Sequence, residues 1–369
     1  MAERLPSETA SPVRLAAVGD LLLVTDPVSG AALRDAAAVL APVAPLLAGH
    51  DVVLGNLECT LPGGGEIVPT EPRVIATPEA IRGIRAAGFN VVSLANNHTF
   101  DCMADGYHRV RALLKDLGIA CFGAGRDLDE AAAPAVLEVR GARVALLGAV
   151  DQRSGATQFA GPGRWGIAPL DLPRLLDQVR DLRRRGDHVV VSVHWGEERF
   201  LVPSPEQIAQ AHALADAGAA LVLGHHPHVV QGLEVRGRAA IIYSLGNFVA
   251  SEVPFTDGGR VTWNRTERTG CLLTADLAAG GAANVRQTAT YDTGRHVKAD
   301  GTGFGQRRFA RANRAVERGV TLGRYRREHV WIKTVRPILQ RLRWSRLKTL
   351  RLRHVGRALA ALVGAGRAR

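Results

Sequence analysis

An α/β fold is predicted for this chain because short β-branched apolar runs alternate with Ala- and Leu-rich stretches of helical period from Val13 to about Ala275. The apolar runs are continuous, as in strands buried on both faces. The helical stretches between them end at glycine, the usual helix stop.

Taken in order, the expected strands are VRLAAVG from Val13, DVVLGN from Asp51, NVVSLAN from Asn90, ARVALLGAV from Ala142, HVVVSVHWG from His188, ALVLGHH from Ala220 and AAIIYSLGN from Ala239. Between them, PEAIRGIRAAG (Pro78 to Gly88) and SPEQIAQAHALADAG (Ser204 to Gly218) have the amphipathic spacing of surface helices. The Gly-rich, aperiodic segment from Asp151 to Leu170 reads as a loop. Asp257 to Ala278 reads as terminal antiparallel strands, followed by a turn at AAGGAANV and one more short strand around VRQTATY. These elements place a core domain at 1–298 and a separate tail at 299–369.

Composition narrows the class. With 46% hydrophobic and 22% charged residues the chain can bury a globular core, which excludes a disordered or collagen-like polymer. No apolar run reaches the ~18 residues that span a bilayer, and the polar start MAERLPSETASPVR lacks the pattern of a secretory signal, so a cytoplasmic location is expected. The four cysteines, Cys59, Cys102, Cys121 and Cys271, form no CxxC pair and read as reduced, buried thiols. The net charge of +12 is concentrated at one end: residues 301–369 hold 19 Lys and Arg against 2 acids.

Nearly every expected strand ends in polar side chains: Asp20, Asn56 with Glu58, Asn96 to His98, His194, His225 to His228, and Asn247. In open α/β sheets ligands bind beyond the carboxyl ends of the strands, where loops converge. Singly these residues have ordinary readings. Asp20 suits a helix cap, Glu58 a solvated loop acid, Asn96 and Asn97 an Asx-turn, and His194 a satisfied strand-end histidine. Three imidazoles within His225 to His228 are harder to place without a ligand, since protonated neighbours repel. Jointly, Asp, Glu, Asn and His form an N/O donor set suited to Mn, Fe, Zn or Mg, and two neighbouring divalent metal ions use such a set more naturally than one. Asp101 reads as a carboxylate orienting His98 or as a helix cap. Glu197 and Glu198 read equally as substrate contacts and as solvated acids.

The pattern VGD, NLE, VVSLANNHTFD, HWGEE, GHHPHVVQGLE and YSLGNF resembles the CapA-type poly-γ-glutamate capsule-synthesis proteins, a branch of the calcineurin-like metallophosphoesterase superfamily. The resemblance covers roughly residues 14–275. It implies a four-layer αββα sandwich with a dinuclear centre at the strand ends. It also implies metal ligands at Asp20, Glu58, Asn97, His194, His226 and His228, with Glu58 as the bridging carboxylate. His98 resembles the non-ligand histidine that contacts the scissile group, and Asp101 would orient it. His225 rivals His226 within GHHPH, and the HPH spacing favours His226. Leu22 stands where the wider superfamily supplies a further histidine, so one metal would have fewer protein ligands. The implied function is biosynthesis of poly-γ-glutamate or a related anionic capsular polymer. The implied chemistry is that of a metal-dependent hydrolase whose activated water attacks a phosphoester or a γ-glutamyl amide. The alternative is a non-catalytic metal- and polymer-binding accessory subunit of a membrane synthase.

In the tail, Trp331, Val335, Ile338 and Leu342 recur at helical spacing beside an Arg-rich face, with a kink expected at Pro337. Such a basic amphipathic helix suits an anionic membrane surface, which would place the protein at the inner membrane face. It also suits a capsule-synthase partner or anionic polymer, and nucleic acid less well.

Overall fold

The computed structural model describes residues 11–341 of the chain. A first compact unit runs to Gly319 and a second begins at Val320.

Two sheets organise the first unit. In the eight-stranded sheet Val13–Leu22 is central, with parallel neighbours Val52–Asn56, Val91–Ser93 and Ala120–Phe122 on one side. On its other side lie the antiparallel strands Thr269–Ala278, Gly281–Asp292 and Val297–Ala299, and the eighth strand, Asn247–Ala250, pairs in parallel with the end of Val13–Leu22. The six-stranded sheet has a parallel centre of Ala142–Val150, His188–His194, Leu221–His225 and Ala239–Ile242. Antiparallel strands Leu233–Arg236 and Ala135–Val139 form its edges.

Side-chain parity shows how the sheets stack. Val13, Leu15 and Ala17 share one apolar cluster with Val144, Leu146, Val190, Leu221 and Leu223 of the other sheet. Alternate residues point away from it: Ala16, Val18, Val53 and Val92 pack with Ile81, Ile84, Tyr107, Val110 and Leu114 of the helices Pro78–Ala86 and Met103–Asp116. On the far side Ala145, Leu147, Val189, Val191 and Val193 pack with Leu175, Val179, Leu182, Ala211 and Leu214 of the helices Leu172–Arg184 and Pro205–Ala217. Period-two burial on strands therefore builds three apolar layers, and these bind four layers of secondary structure into an αββα sandwich.

Local chemistry sets the helix ends. Thr77 and Ser204 cap the two helices read from the sequence, each followed by Pro at the first helical position. Ser204 and Gln207 close a reciprocal capping box, and Gly218 at φ 115° takes the left-handed exit.

Three features differ from the sequence reading. The strand expected to be short is twelve residues long, Gly281–Asp292, because it pairs along the whole of Thr269–Ala278 and leaves only Ala279 and Gly280 for the turn. The helix Phe304–Glu317 follows the last strand and belongs to the first unit, where its Asn313 accepts from Leu233 N at 2.8 Å and donates to Gln287 at 2.8 Å. The tail is helical over Leu322–Val330 and Arg336–Arg341, joined by a π-helical turn at Trp331–Val335. Pro337 has no N–H to continue the regular ladder, and Arg336 N instead reaches back five residues to Trp331 O. Leu342 lies outside the described residues. Among the described residues no helix is long and apolar enough to cross a membrane.

Candidate metal centre

The C-terminal ends of both parallel strand sets meet at one place. Asp20 sits there because Gly19 has no side chain: a Cβ at Gly19 would lie 1.7 Å from Gly246 O. That close approach lets Asp20 N donate to Gly246 O at 2.9 Å, with a local shift of register. Asn56 holds Asp20 in place, its amide donating to Oδ1 at 2.8 Å. Asn96 donates to Asn56 Oδ1 at 3.1 Å and to Leu57 O at 2.9 Å, and accepts from His98 N at 3.1 Å. The polar asparagines at the end of Val91–Ser93 thus brace the neighbouring loop.

Two groups of donors result. Glu58, His194 and His226 bring ligand atoms within 4.8 Å of one another, and so do Asp20, Glu58 and His228. Glu58 belongs to both groups. It is fully buried, and neither of its carboxylate oxygens receives a hydrogen bond among the described residues. Burial drives its carboxyl well above the ordinary range, and the Asp20 charge adds to the effect. An unsatisfied buried carboxylate is costly unless a cation accompanies it.

The histidines are set differently from one another. Burial pushes His194 well below its usual value, reinforced by the charge of His226. Burial and the His228 charge bring His226 down to about 4. Both therefore present neutral rings, the form that ligates a metal. Burial also opposes charge on His228, but Glu58 and Asp20 outweigh it and push that ring up to about 10. For Asp20, burial raises the carboxyl, and the hydrogen bonds and charges of His225 and His228 overcome it and hold it well below the ordinary value. His226 and His228 stand at φ 92° and 56°, in left-handed backbone that non-glycine residues rarely adopt. Arg199 N donates to the intervening Pro227 O at 2.8 Å and helps fix this turn.

The structure gathers all eight sequence candidates. Asn97 Oδ1 lies 2.9 Å from His194 Nε2, and its amide nitrogen 3.4 Å from His98 Nε2. His98 Nδ1 is 2.8 Å from Asp101 Oδ2, which also accepts from Val74 N at 2.7 Å. His225 is outside both donor groups and lies with Nδ1 3.2 Å from Asp20 Oδ1. Leu22 is buried in the helix-side core. Asn247 stands beneath the histidines: its amide donates to Glu267 O at 3.1 Å, which turns Oδ1 toward His228 Nδ1 at 2.9 Å. Trp263, not singled out in the sequence, packs its ring 4.9 Å from that of His228 and donates to Ser251 O. Its only sequence signal is a tryptophan in an otherwise polar loop. Glu198 is exposed; partial desolvation raises its carboxyl, and the charges of His228 and His226 bring it below the ordinary value.

Residues 14–252 match the family described as bacterial capsule synthesis protein PGA_cap. The chain belongs to this family. PGA_cap proteins are part of the metallophosphoesterase-like superfamily. Among curated relatives, the capsule biosynthesis protein CapA of Bacillus anthracis is 34% identical over 61% of this chain and 54% of its own length. The PGA biosynthesis protein CapA of Bacillus subtilis is 30% identical over 73% of this chain and 69% of its own length. The chain thus spans little more than half of the first of these PGA_cap relatives. A solved structure of Haemophilus influenzae NAD nucleotidase aligns with 77% of this chain and 56% of its own, at a TM-score of 0.44 and 14% identity.

Proposed function

We propose that this PGA_cap protein is a metal-dependent hydrolase that acts in the synthesis of poly-γ-glutamate or a related anionic capsular polymer. The observation that carries the reading is Glu58, buried, without hydrogen bonds among the described residues, and common to both donor groups. The donor set fits a pair of divalent cations: Asp20, Glu58 and His228 form one group and Glu58, His194 and His226 the other, with Asn97 Oδ1 beside His194 Nε2 at 2.9 Å. Buried atoms without hydrogen bonds among the described residues, including Asp20 Oδ2, both Glu58 oxygens and His226 Nδ1, are what such ions would satisfy. Held there, two divalent cations supply Lewis-acid polarisation of the bond to be broken and an activated water.

The protein's own groups do the rest. Asn56, Asn96 and Asn247 hold the ligands in orientation. Asp101 receives Nδ1–H of His98 and stabilises the ring when it is charged, so that Nε2 is poised to give a proton to a leaving oxygen or nitrogen. A purely structural site has no use for such a dyad. The bond is a phosphoester or a γ-glutamyl amide, and the site of action is cytoplasmic, with the basic tail as a contact for the inner membrane surface or a synthase partner.

The test assays wild type and His98→Ala, purified without chelators, on phosphodiester, phosphomonoester and γ-glutamyl model substrates with added Mn. Expected is turnover of one class that falls at least ~100-fold in His98→Ala while bound metal is unchanged. A metal-loaded wild type inactive on all three classes would contradict the enzyme and point to an accessory polymer-binding role.

A further inference from the structure

A second cleft lies at the other pole of the six-stranded sheet. It encloses 270 Å³ where the start of His188–His194, the Arg236 to Ala239 turn and the Ala278 to Gly281 turn come together. His188 and His194 close opposite ends of one seven-residue strand, so the cleft is about 20 Å from the metal centre at ~3.3 Å per residue.

The lining carries charge that the fold leaves unused. Of its two acids, buried Asp187 is neutralised from outside by Arg143 at 2.8 Å, and Asp216 by Arg236 through two bonds of 2.8 and 2.7 Å. Arg183 and Arg238 remain without an acidic partner among the described residues; Arg183 makes a single 3.3 Å contact with the Ala279 carbonyl. His188 is 95% buried, since only 5% of its surface is exposed, yet its ring makes no hydrogen bond within the described protein. Two arginines without an acidic partner among the described residues and the imidazole of His188 thus line one small cleft.

The walls are held by backbone geometry. A Cβ at Gly281 would lie 2.2 Å from Arg238 O, and that close approach lets Ala282 N donate to the same oxygen at 2.9 Å, tying the two turns together. Gly218 at φ 115° leaves room for the Arg183 stem, whose Cγ would otherwise be 3.0 Å from a Cβ there.

We propose that this cleft binds a compact dianion, with Arg183 and Arg238 pairing its acidic groups and the His188 ring hydrogen-bonding it from the buried side. Two cations flanking so small a volume match a phosphate or a short dicarboxylate better than a monoanion, and guanidinium forks suit either.

Calorimetric titration of the full chain at low ionic strength with inorganic phosphate, glutarate and chloride tests the proposal. Saturable one-to-one binding of phosphate or glutarate is expected, with none for chloride, together with a shift of the His188 imidazole resonances assigned through His188→Gln. Phosphate alone would define a phosphate site and glutarate alone a dicarboxylate site. Arg183→Gln and Arg238→Gln should each weaken binding about tenfold or more, while His194→Ala in the metal centre leaves it unchanged. Should Arg183→Gln fail to fold, the exposed Arg238 carries the same comparison. Failure of both dianions to bind at millimolar concentration overturns the proposal. So does affinity that survives both arginine changes but is lost in His194→Ala, which would place the anion at the metal centre.

Discussion

Asp101 shows what one side chain contributes beyond its charge. Its Oδ2 faces His98 Nδ1 at 2.8 Å and Val74 N at 2.7 Å, so it fixes the ring and the neighbouring loop together. Both bonds use that one oxygen, so an asparagine oxygen in its place keeps them but removes the counter-charge for a protonated ring, and an asparagine N–H there would oppose the Val74 N–H donor. Asp101→Asn is expected to lower kcat about 10- to 100-fold with bound metal unchanged. Loss of metal in that variant would make Asp101 a support for the ligands instead. The sequence exposed this dyad because a histidine and an aspartate three residues apart follow an apolar run directly. It did not expose Trp263 or the left-handed turns at His226 and His228, because those depend on which loops the fold brings side by side.

At the scale of elements, the centre depends on the crossing of Val13–Leu22 with Asn247–Ala250, which pair in parallel although more than two hundred residues separate them. Apolar pattern marked both segments as buried, but nothing local encodes their pairing. The contact at Gly19 is the weak point. Gly19→Ala would drive a methyl into Gly246 O, and a loss of about 3 kcal/mol or more is expected in denaturant unfolding, with metal binding lost as Asp20 moves. Unchanged stability would mean that the strands separate easily.

A second element-scale link joins the short helix Leu128–Ala131 to Met103–Asp116. Glu130 pairs there with Arg111 and with Arg126 at 2.7 Å. Partial burial raises its carboxyl, but the Arg126 and Arg111 bonds outweigh it and bring it from 4.5 down to about 2. A depressed carboxyl stabilises the fold above its unfolded value and loses that contribution as pH falls through the folded one. Wild type should therefore lose more stability than Glu130→Gln between about pH 4.5 and pH 2. Parallel melting curves for the two across that window would contradict the assignment.

For the molecule as a whole, an α/β fold with helices covering its sheets was legible because continuous apolar strands need cover on both faces and amphipathic helices lie between them, whereas the four-layer αββα arrangement was implied by the resemblance of its motifs and not by their pattern. The end of the first unit was less legible. The sequence placed a boundary at 298, whereas the first unit runs on through Phe304–Glu317, whose anchoring residues Phe309 and Asn313 are sparse among many arginines. Charge composition reported the Arg-rich segment and concealed the part of it that packs.

In the proposed centre Glu58 would serve both metal ions, since it belongs to both donor groups. Metal content per chain, measured by elemental analysis on wild type and Glu58→Gln after equilibration with Mn, tests it most directly. Two ions per wild-type chain and one or fewer in Glu58→Gln are expected. One ion or none in wild type, or an unchanged content in the variant, would contradict it.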